Sequence, residues 1–317
     1  MQDCDVTVVI PTYNSELTIG TVVAQAREVL RGCGLTCEVI LVDDSSRDGT
    51  WDVIRALAAE SSDVLGIRLR RNFGQHNALL AGIRRARGRI VLTMDDDQQH
   101  PAAEIPKLLE VLERGNDVVY GAPATLPHSF GRNLFSWFTK IALQKAMGAD
   151  TARHVSAFRA FRADLRGAFA NYRGTYVSID VLLTWATERF AWIAVEHRRR
   201  TLGRSGYTLR TLAAHALTMI TGFSTLPLRL ASILGLVFTA VGIGLLAFIL
   251  GRYLIDGGSV PGFPFVASAI SALSGAQLFA LGIIGEYLAR LHVRSLGRPA
   301  YVISETSGSL NSAGASS

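Results

Sequence analysis

Ile90-Val91-Leu92-Thr93-Met94-Asp95-Asp96-Asp97-Gln98-Gln99-His100-Pro101 sets a short apolar run against three consecutive carboxylates and a proline. The apolar residues read as a buried strand, and Pro101-Ala102-Ala103-Glu104 reads as a first helical turn with proline leading it. In an extended chain alternate side chains share a face, so Asp95 and Asp97 point one way and Asp96 the other. Two carboxylates held together repel unless a cation lies between them. Hard oxygen ligands suit magnesium or manganese, which keep waters and take phosphate oxygens as further ligands. Gln99, two residues on, offers a neutral oxygen. The competing reading is a solvated acidic turn, and the rest of the chain decides between the two.

Working outward, apolar runs at residues 6–10, 38–42, 65–69, 90–94 and 117–120 read as strands, and residues 16–30, 50–59, 75–85 and 101–114 as helices. Strands alternating with helices specify an α/β fold with a mostly parallel sheet and crossover helices on its faces. Ligands of such sheets bind beyond the carboxyl ends of the strands. Thr12-Tyr13-Asn14, the Asp43 to Asp48 run, Arg71 to Gly74 and Asp95 to Gln99 each follow a strand, so four polar loops converge on one rim. Turns that were merely solvated would fall on both rims. Neither G-x-G-x-x-G nor G-x-x-x-x-G-K-S/T is present, so no glycine-rich helix start cradles phosphates, and a metal bridging a diphosphate takes over that task.

Beyond Thr225 the composition changes. Residues 230–250 are 21 positions without a charge, and residues 266–284 are 19 more whose one amide is Gln277. At about 1.5 Å per residue the first run reaches about 31 Å, the thickness of a bilayer's hydrocarbon. Between them residues 251–265 hold four glycines and two prolines. This pattern predicts a hairpin of two membrane spans. Arg210 and Arg229 precede it and Arg290, Arg294 and Arg298 follow, so both ends face the cytoplasm. The organisation expected is a cytoplasmic catalytic domain over 1–208, a juxtamembrane helix over 209–228, two spans over 229–289, and a cytoplasmic tail over 290–317 whose Ser/Gly-rich end, 304–317, carries no fold. The location is the inner (plasma) membrane, multi-pass. Residues 128–146 and 209–226 mix aromatic and basic side chains in the manner of helices lying in the headgroup plane. The net charge of +6 and pI near 9.5 call for an anionic partner. The basic residues flank the apolar runs and form no nucleic-acid-binding motif, so a lipid surface fits and nucleic acid does not. Cys4, Cys33 and Cys37 have no histidine cluster beside them, which leaves them as reduced thiols rather than zinc ligands. The amino terminus has neither the basic nor the apolar part of a signal peptide.

An acidic metal site on the cytoplasmic side and basic helices at a bilayer suit a nucleotide-diphosphate donor and a lipid-phosphate acceptor. A phosphate is already ionised near neutral pH and attacks a sugar carbon without a strong base. Arginines hold it, and the candidates are Arg132 and the run Arg198-Arg199-Arg200-Thr201-Leu202-Gly203-Arg204.

The chain resembles the family 2 glycosyltransferases of the polyprenyl-phosphate (dolichol-phosphate mannosyltransferase-like) branch. The likeness is carried by Val9-Ile10-Pro11-Thr12-Tyr13-Asn14, by Val42-Asp43-Asp44-Ser45-Ser46-Arg47-Asp48-Gly49-Thr50, by Asn72-Phe73-Gly74-Gln75, by Asp95 to Pro101 and by Val118-Val119-Tyr120-Gly121. Phe158-Arg159, Arg200 to Tyr207, Pro227-Leu228-Arg229-Leu230 and the two spans continue it. The resemblance implies a Rossmann-like GT-A domain that moves one sugar, with inversion, from a nucleotide donor to polyprenyl (undecaprenyl or decaprenyl) phosphate. Such a product is a lipid-linked monosaccharide for modifying cell-envelope glycans. It implies that Pro11, Tyr13 and Asp43 border the base, with Asn14, Glu16, Asp44, Ser45, Asn72, Gly74 and Asp96 in the same nucleotide-sugar site. Asp95 and Asp97 face ribose, diphosphate and Mg2+ or Mn2+, and Gln99 completes the metal shell. Arg132, Ser136, Arg200 and Arg204 hold the acceptor phosphate, and Arg132 and Arg200 count with Asp95 and Asp97 as catalytic. The membrane tail favours a UDP-sugar over a GDP-sugar, and relatives assemble through their spans, where Gly235, Gly242 and Gly244 permit close contact in a homo-oligomer. Three positions depart from the pattern: Asp96 where a small residue is common, Pro123 where many members have Arg, and Gly206 where Lys is usual, with Arg204 as the substitute cation. A processive polysaccharide synthase would carry Gln-x-x-Arg-Trp and more spans. A scaffold with a degraded site would not retain the Asp-x-Asp-x-Gln run.

Overall fold

β1 (Val6–Thr12) is buried along its whole length because a strand and a helical layer cover it on every side. The computed structural model describes residues 4–123, 151–152, 154–174, 177–196, 226–256 and 262–309. After β1 come α1 (Ile19–Gly32), β2 (Cys37–Asp43), α2 (Thr50–Glu60), β3 (Val64–Leu69), α3 (Gln75–Ile83), β4 (Ile90–Thr93), α4 (Ile105–Glu113) and β5 (Val118–Pro123). β6 (Arg159–Arg162), α5 (Ile179–Leu183) and β7 (Phe190–Val195) follow. The long helices α6 (Leu226–Asp256) and α7 (Phe263–Ser295) and then β8 (Ile303–Ser307) end the series. The chain divides into Met1–Thr208 with Gly297–Ser317, and Leu209–Leu296.

In the first unit eight strands form one sheet in the order β7-β5-β6-β4-β1-β2-β3-β8. The period-two alternation of a strand splits its side chains between two cores. Val6, Val8 and Ile10 of β1, Val39 and Leu41 of β2, and Leu92 of β4 meet α1, α2 and α4 on one face. Val9, Ile40, Val42 and Val91 meet α3 on the other. The helices show the complementary stripe: Ile19, Val22, Val23, Ala26 and Leu30 of α1 recur at helical spacing and are buried. The neighbours β1/β2, β1/β4 and β2/β3 run parallel, so the ends of β1, β2, β3 and β4 open onto the same rim.

The expected α/β fold with its mostly parallel sheet is present, and the structure adds three strands to it. β6 enters between β4 and β5, antiparallel to both, so these two strands are not neighbours. β7 pairs with β5 in parallel. β8 pairs antiparallel with the outer edge of β3, matching Gly66 with Ser307, Ile67 with Thr306 and Arg68 with Glu305. The segment expected to be an unfolded Ser/Gly tail from residue 304 is therefore partly a strand. Ladder pairing uses backbone groups, and an edge strand can be polar throughout.

Two helix starts also differ. α1 begins at Ile19 rather than residue 16, because Glu16 is engaged elsewhere: its Oε2 accepts the Gly49 N–H at 3.0 Å. Pro101 is extended (φ −61°, ψ 132°) and precedes a 3-10 turn, Ala102–Glu104; Pro106 supplies the proline at the start of α4.

In the second unit α6, of 31 residues, packs against α7, of 33. Ile233, Leu236, Val237, Val241, Ile243, Phe248, Leu254 and Ile255 of α6 are exposed, as are Leu278, Phe279, Leu281, Ile284, Leu288 and Leu291 of α7. Among the described residues no helix is long and apolar enough to cross a membrane, so the expected pair of spans is not met there. The two segments expected to lie in the headgroup plane, 128–146 and 209–226, fall outside the described residues except for Leu226.

Candidate active site at the sheet rim

The loops that leave β1, β2, β3 and β4 are tied to one another in a closed ring. Asp96 Oδ2, after β4, accepts the Tyr13 N–H at 3.1 Å and the Ser15 hydroxyl, both after β1. The Asn14 N–H donates to Ser46 Oγ at 2.9 Å, and the Arg47 N–H donates to Asn14 Oδ1 at 2.9 Å, which joins the β1 loop to the β2 loop. Asp44 accepts the N–H groups of Phe73 and Gly74, each at 2.7 Å, and joins β2 to β3. Gln75 Nε2 at the start of α3 donates to Asp95 Oδ1 at 2.6 Å and closes the ring back to β4. Asp97 Oδ1 accepts the Gln99 N–H at 3.1 Å, which folds the acidic run into a turn.

Backbone strain collects on this rim. Asn14 (φ 55°), Ser45 (φ 64°) and Gln98 (φ 61°) are the non-glycine residues with positive φ among those described, one in each loop after β1, β2 and β4. Such residues persist only where their surroundings over-determine them, and they gather at working sites. Gly74, at φ 94°, occupies a region closed to other side chains, and its N–H reaches Asp44 from there.

The electrostatics separate the carboxylates. Burial raises the Asp96 carboxyl above the usual 3.8, against the hydrogen bonds from Ser15 and Tyr13, which lower it. Burial likewise raises Asp44 above 3.8, against its two backbone donors. Asp43 is fully buried at the end of β2. Its Oδ1 accepts the Ser46 N–H at 2.9 Å, while Oδ2 has no hydrogen-bond partner; Arg68 Nε lies 3.3 Å from it in oblique contact.

Beneath the rim a buried charged network holds the end of β4. Arg159 of β6 donates through Nε to Thr93 Oγ1 at 3.1 Å and pairs with Asp180, which also accepts the Tyr120 hydroxyl at 3.0 Å. Thr93 stands two residues before Asp95. Burial, with the negative Asp180 nearby, drives the Tyr120 hydroxyl well above its ordinary 10.0.

Of the residues expected to bind nucleotide sugar, Pro11, Tyr13, Asn14, Glu16, Asp43, Asp44, Ser45, Asn72, Gly74, Asp95 and Asp96 all stand on the four converging loops or the strand ends beneath them. Asp96 is spent on holding Tyr13 and Ser15. Arg132, Ser136, Arg200 and Arg204 lie outside the described residues. Ser15, Gln75, Arg159 and Asp180 are structural members of the site that sequence reasoning did not single out for a role there. Gln75 and Arg159 entered only as members of Asn72-Phe73-Gly74-Gln75 and Phe158-Arg159, two of the stretches that carry the family resemblance.

A model of the family described as Glycosyl transferase family 2 matches residues 7–165, the stretch that builds this rim. The chain is 33% identical over 301 residues to an undecaprenyl-phosphate 4-deoxy-4-formamido-L-arabinose transferase of Aeromonas hydrophila, covering 94% of this chain and 92% of the relative. The chain belongs to glycosyl transferase family 2. A transferase with the same description from Serratia proteamaculans is 32% identical over 306 residues, covering 96% of this chain and 94% of the relative. By full-length likeness this glycosyltransferase groups with the polyprenyl-phosphate transferases of the family. Its fold matches that of glucosyl-3-phosphoglycerate synthase from Mycobacterium tuberculosis, solved with Mn2+, UDP-glucose and phosphoglyceric acid. The TM-score is 0.52 at 21% identity, over 69% of this chain and 78% of that one. The catalytic unit is thus a GT-A-type α/β fold.

Proposed function

We propose that this glycosyltransferase moves one sugar, with inversion, from a UDP-linked donor to the phosphate of a polyprenyl lipid at the cytoplasmic face of the inner membrane. The carrying observation is the ring of hydrogen bonds that binds four strand-end loops into one rim. In that ring Asp44, Asp95 and Asp96 each accept a hydrogen bond from a neighbouring loop. Asp95 and Asp97 stand after β4 on this rim, and Asp43 lies buried at the end of β2 beneath it.

The donor set fits a divalent ion of the Mg2+ or Mn2+ kind. Asp95, Asp97 and the Gln99 amide offer hard oxygens and no sulfur or imidazole. Among the described residues no three His, Cys, Asp or Glu side chains group as a metal site. Magnesium-type ions are held by one or two carboxylates and take diphosphate oxygens and water as their other ligands. When bound, the ion supplies neutralising charge for the leaving nucleotide. The chain's own groups do the rest. Pro11, Tyr13 and Asp43 border the base, and Asp95 and Asp97 face ribose and diphosphate. Arg132, Ser136, Arg200 and Arg204 grip the attacking phosphate, whose charge dispenses with a general base.

The relatives' names support the lipid acceptor. The sequence supports the membrane: residues 230–250 and 266–284 carry no charge, and basic residues flank them. Exposed apolar side chains along α6 and α7 are what a lipid-facing surface requires.

The test uses the full-length protein in detergent with undecaprenyl phosphate, Mn2+ and a panel of UDP- and GDP-sugars, with mass spectrometry of the lipid products. One lipid-linked monosaccharide from a UDP-sugar is expected, and chelation by EDTA should abolish it. A polymeric product, or undiminished turnover in EDTA, would refute the reading.

A further inference from the structure

The acid run Asp95-Asp96-Asp97 is clamped at both ends by consecutive residues at the start of β6. Ahead of the run, the Arg159 Nε–H donates to Thr93 Oγ1 at 3.1 Å, and that hydroxyl donates in turn to the Ala157 carbonyl at 2.6 Å. Behind the run, the Phe158 ring stacks on His100, with centroids 5.2 Å apart and planes 14° from parallel. Residues 157–159 thus hold positions 93 and 100, and no helix or strand lies between those two. The held segment contains Gln98 at φ 61°, a conformation that persists only where the surroundings impose it. Arg159 is itself fixed. It is 1% exposed and pairs with Asp180 of α5, which also accepts the Tyr120 hydroxyl at 3.0 Å. A buried ion pair is seldom a better stabiliser than apolar side chains of the same volume. What the guanidinium offers is direction, because its planar fork reaches Thr93 with Nε and Asp180 with a second nitrogen at once.

We infer that Arg159 is a positioning residue for the divalent ion: acting through Thr93, it fixes where β4 ends and hence where Asp95 and Asp97 stand. This rests on the reading that those two acids hold the ion. Only Met94 separates Thr93 from Asp95, and Met94 is 2% exposed, so the link has little slack. Carboxylates free to move swing apart under mutual repulsion, and an ion that gathers them must offset both that and the lost freedom of the chain. A clamped run meets the ion already in place. Residues that orient metal ligands from behind are typically worth about 10–100-fold in metal affinity. Asp180 serves the same end one step further back, by holding the guanidinium.

The test titrates Mn2+ into the full-length protein in detergent with UDP and no acceptor, following free Mn2+ by electron paramagnetic resonance, so that turnover plays no part. Thr93→Val keeps the shape and removes the hydroxyl, and it should weaken Mn2+ binding about tenfold. Thr93→Ser restores the hydroxyl and should bind Mn2+ within about threefold of the unaltered protein. Arg159→Lys keeps a charge for Asp180 but cannot reach both partners with one ammonium, and it should weaken Mn2+ binding about fivefold or more while its circular dichroism spectrum stays intact. Should Arg159→Lys fail to fold, the two Thr93 variants decide alone. A merely structural role would lower the melting temperature of these variants and leave the Mn2+ affinity of the folded protein unchanged, and that result overturns the inference. Equal weakening in Thr93→Val and Thr93→Ser also overturns it, because the hydroxyl is then no relay. Asp97→Asn tests the underlying reading separately. If it binds Mn2+ as the unaltered protein does, the ion is not on the acid run and both fall. If it loses the ion while Thr93→Val and Arg159→Lys bind normally, the inference falls alone.

Discussion

Asp95, Asp96 and Asp97 are chemically identical and sit in three different hydrogen-bond settings: Asp95 accepts from Gln75, Asp96 from Tyr13 and Ser15, and Asp97 from the Gln99 N–H. Asp96 faces the β1 loop and holds the Tyr13 N–H and the Ser15 hydroxyl. Because burial raises its carboxyl above 3.8, its contribution to stability is present below pH 3.8 and is lost as pH rises through the folded-state value. Asp96→Asn keeps an acceptor oxygen and removes that dependence. Relative to the variant, the unaltered protein should lose stability as pH climbs from 3.8, and the difference should level off above the folded-state value. Denaturant unfolding of both proteins across pH 3.5 to 7 measures it, and a constant difference would refute the assignment. Asp97→Asn should behave otherwise. It should leave the circular dichroism spectrum intact and cut kcat by on the order of a hundredfold or more, the scale on which stabilisation of leaving charge acts. These acids were legible in the sequence because each follows an apolar strand. Ser15 and the contact of Gln75 with Asp95 were not: a single hydroxyl or amide has no stated partner until the fold supplies Asp96 and Asp95.

At the scale of elements, β1 to β5 were legible because buried parallel strands read as continuous apolar runs. β6 was hidden by its own chemistry. Arg159-Ala160-Phe161-Arg162 looks polar, yet Arg159 is 1% exposed, since Asp180, Thr93 and the face of Tyr120 accept it. β8 was hidden because Ile303-Ser304-Glu305-Thr306-Ser307 has the composition of a linker and is held by ladder bonds. The fit of α3 against the sheet gives a sharper test. A Cβ added at Gly82 would stand 2.4 Å from Val9 Cγ1 and 3.1 Å from Val42 Cγ2. Alanine has a helix propensity about 1 kcal/mol better than glycine. Overpacking a buried helix–sheet contact costs about 1–3 kcal/mol, and the fully buried β-branched neighbours have little room to move. The steric cost should win, and Gly82→Ala should lower the unfolding midpoint. Gly20 in α1 has nothing within 4 Å of such a Cβ, so Gly20→Ala should leave stability unchanged or raise it by about 0.5 kcal/mol. Equal effects at the two sites would mean that α3 does not pack as described.

At the scale of the whole molecule, the membrane reading makes a prediction that the protein's own cysteines can answer. Cys33 is exposed at the end of α1. Cys4 is half-buried and its thiol is pushed up to about 11, by burial first and by the nearby Glu38 second. Cys37 is also raised, again chiefly by burial. Only the thiolate attacks a maleimide, so at neutral pH these two should react far more slowly than an exposed thiol. A membrane-impermeant maleimide should therefore report mainly on Cys33. If residues 230–250 and 266–284 cross the bilayer as a pair, with arginines 210, 229, 290, 294 and 298 on the inner side, Cys33 lies in the cytoplasm. It should be labelled in inside-out vesicles and protected in intact spheroplasts. A second cysteine placed in the glycine- and proline-rich connection, Ser259→Cys, should show the opposite pattern. Labelling of both from the same side would mean that the connection never leaves the cytoplasm. The apolar helices would then have to bury their exposed Leu, Ile and Phe side chains against protein rather than lipid, and the polyprenyl acceptor would have to reach the catalytic rim by another route.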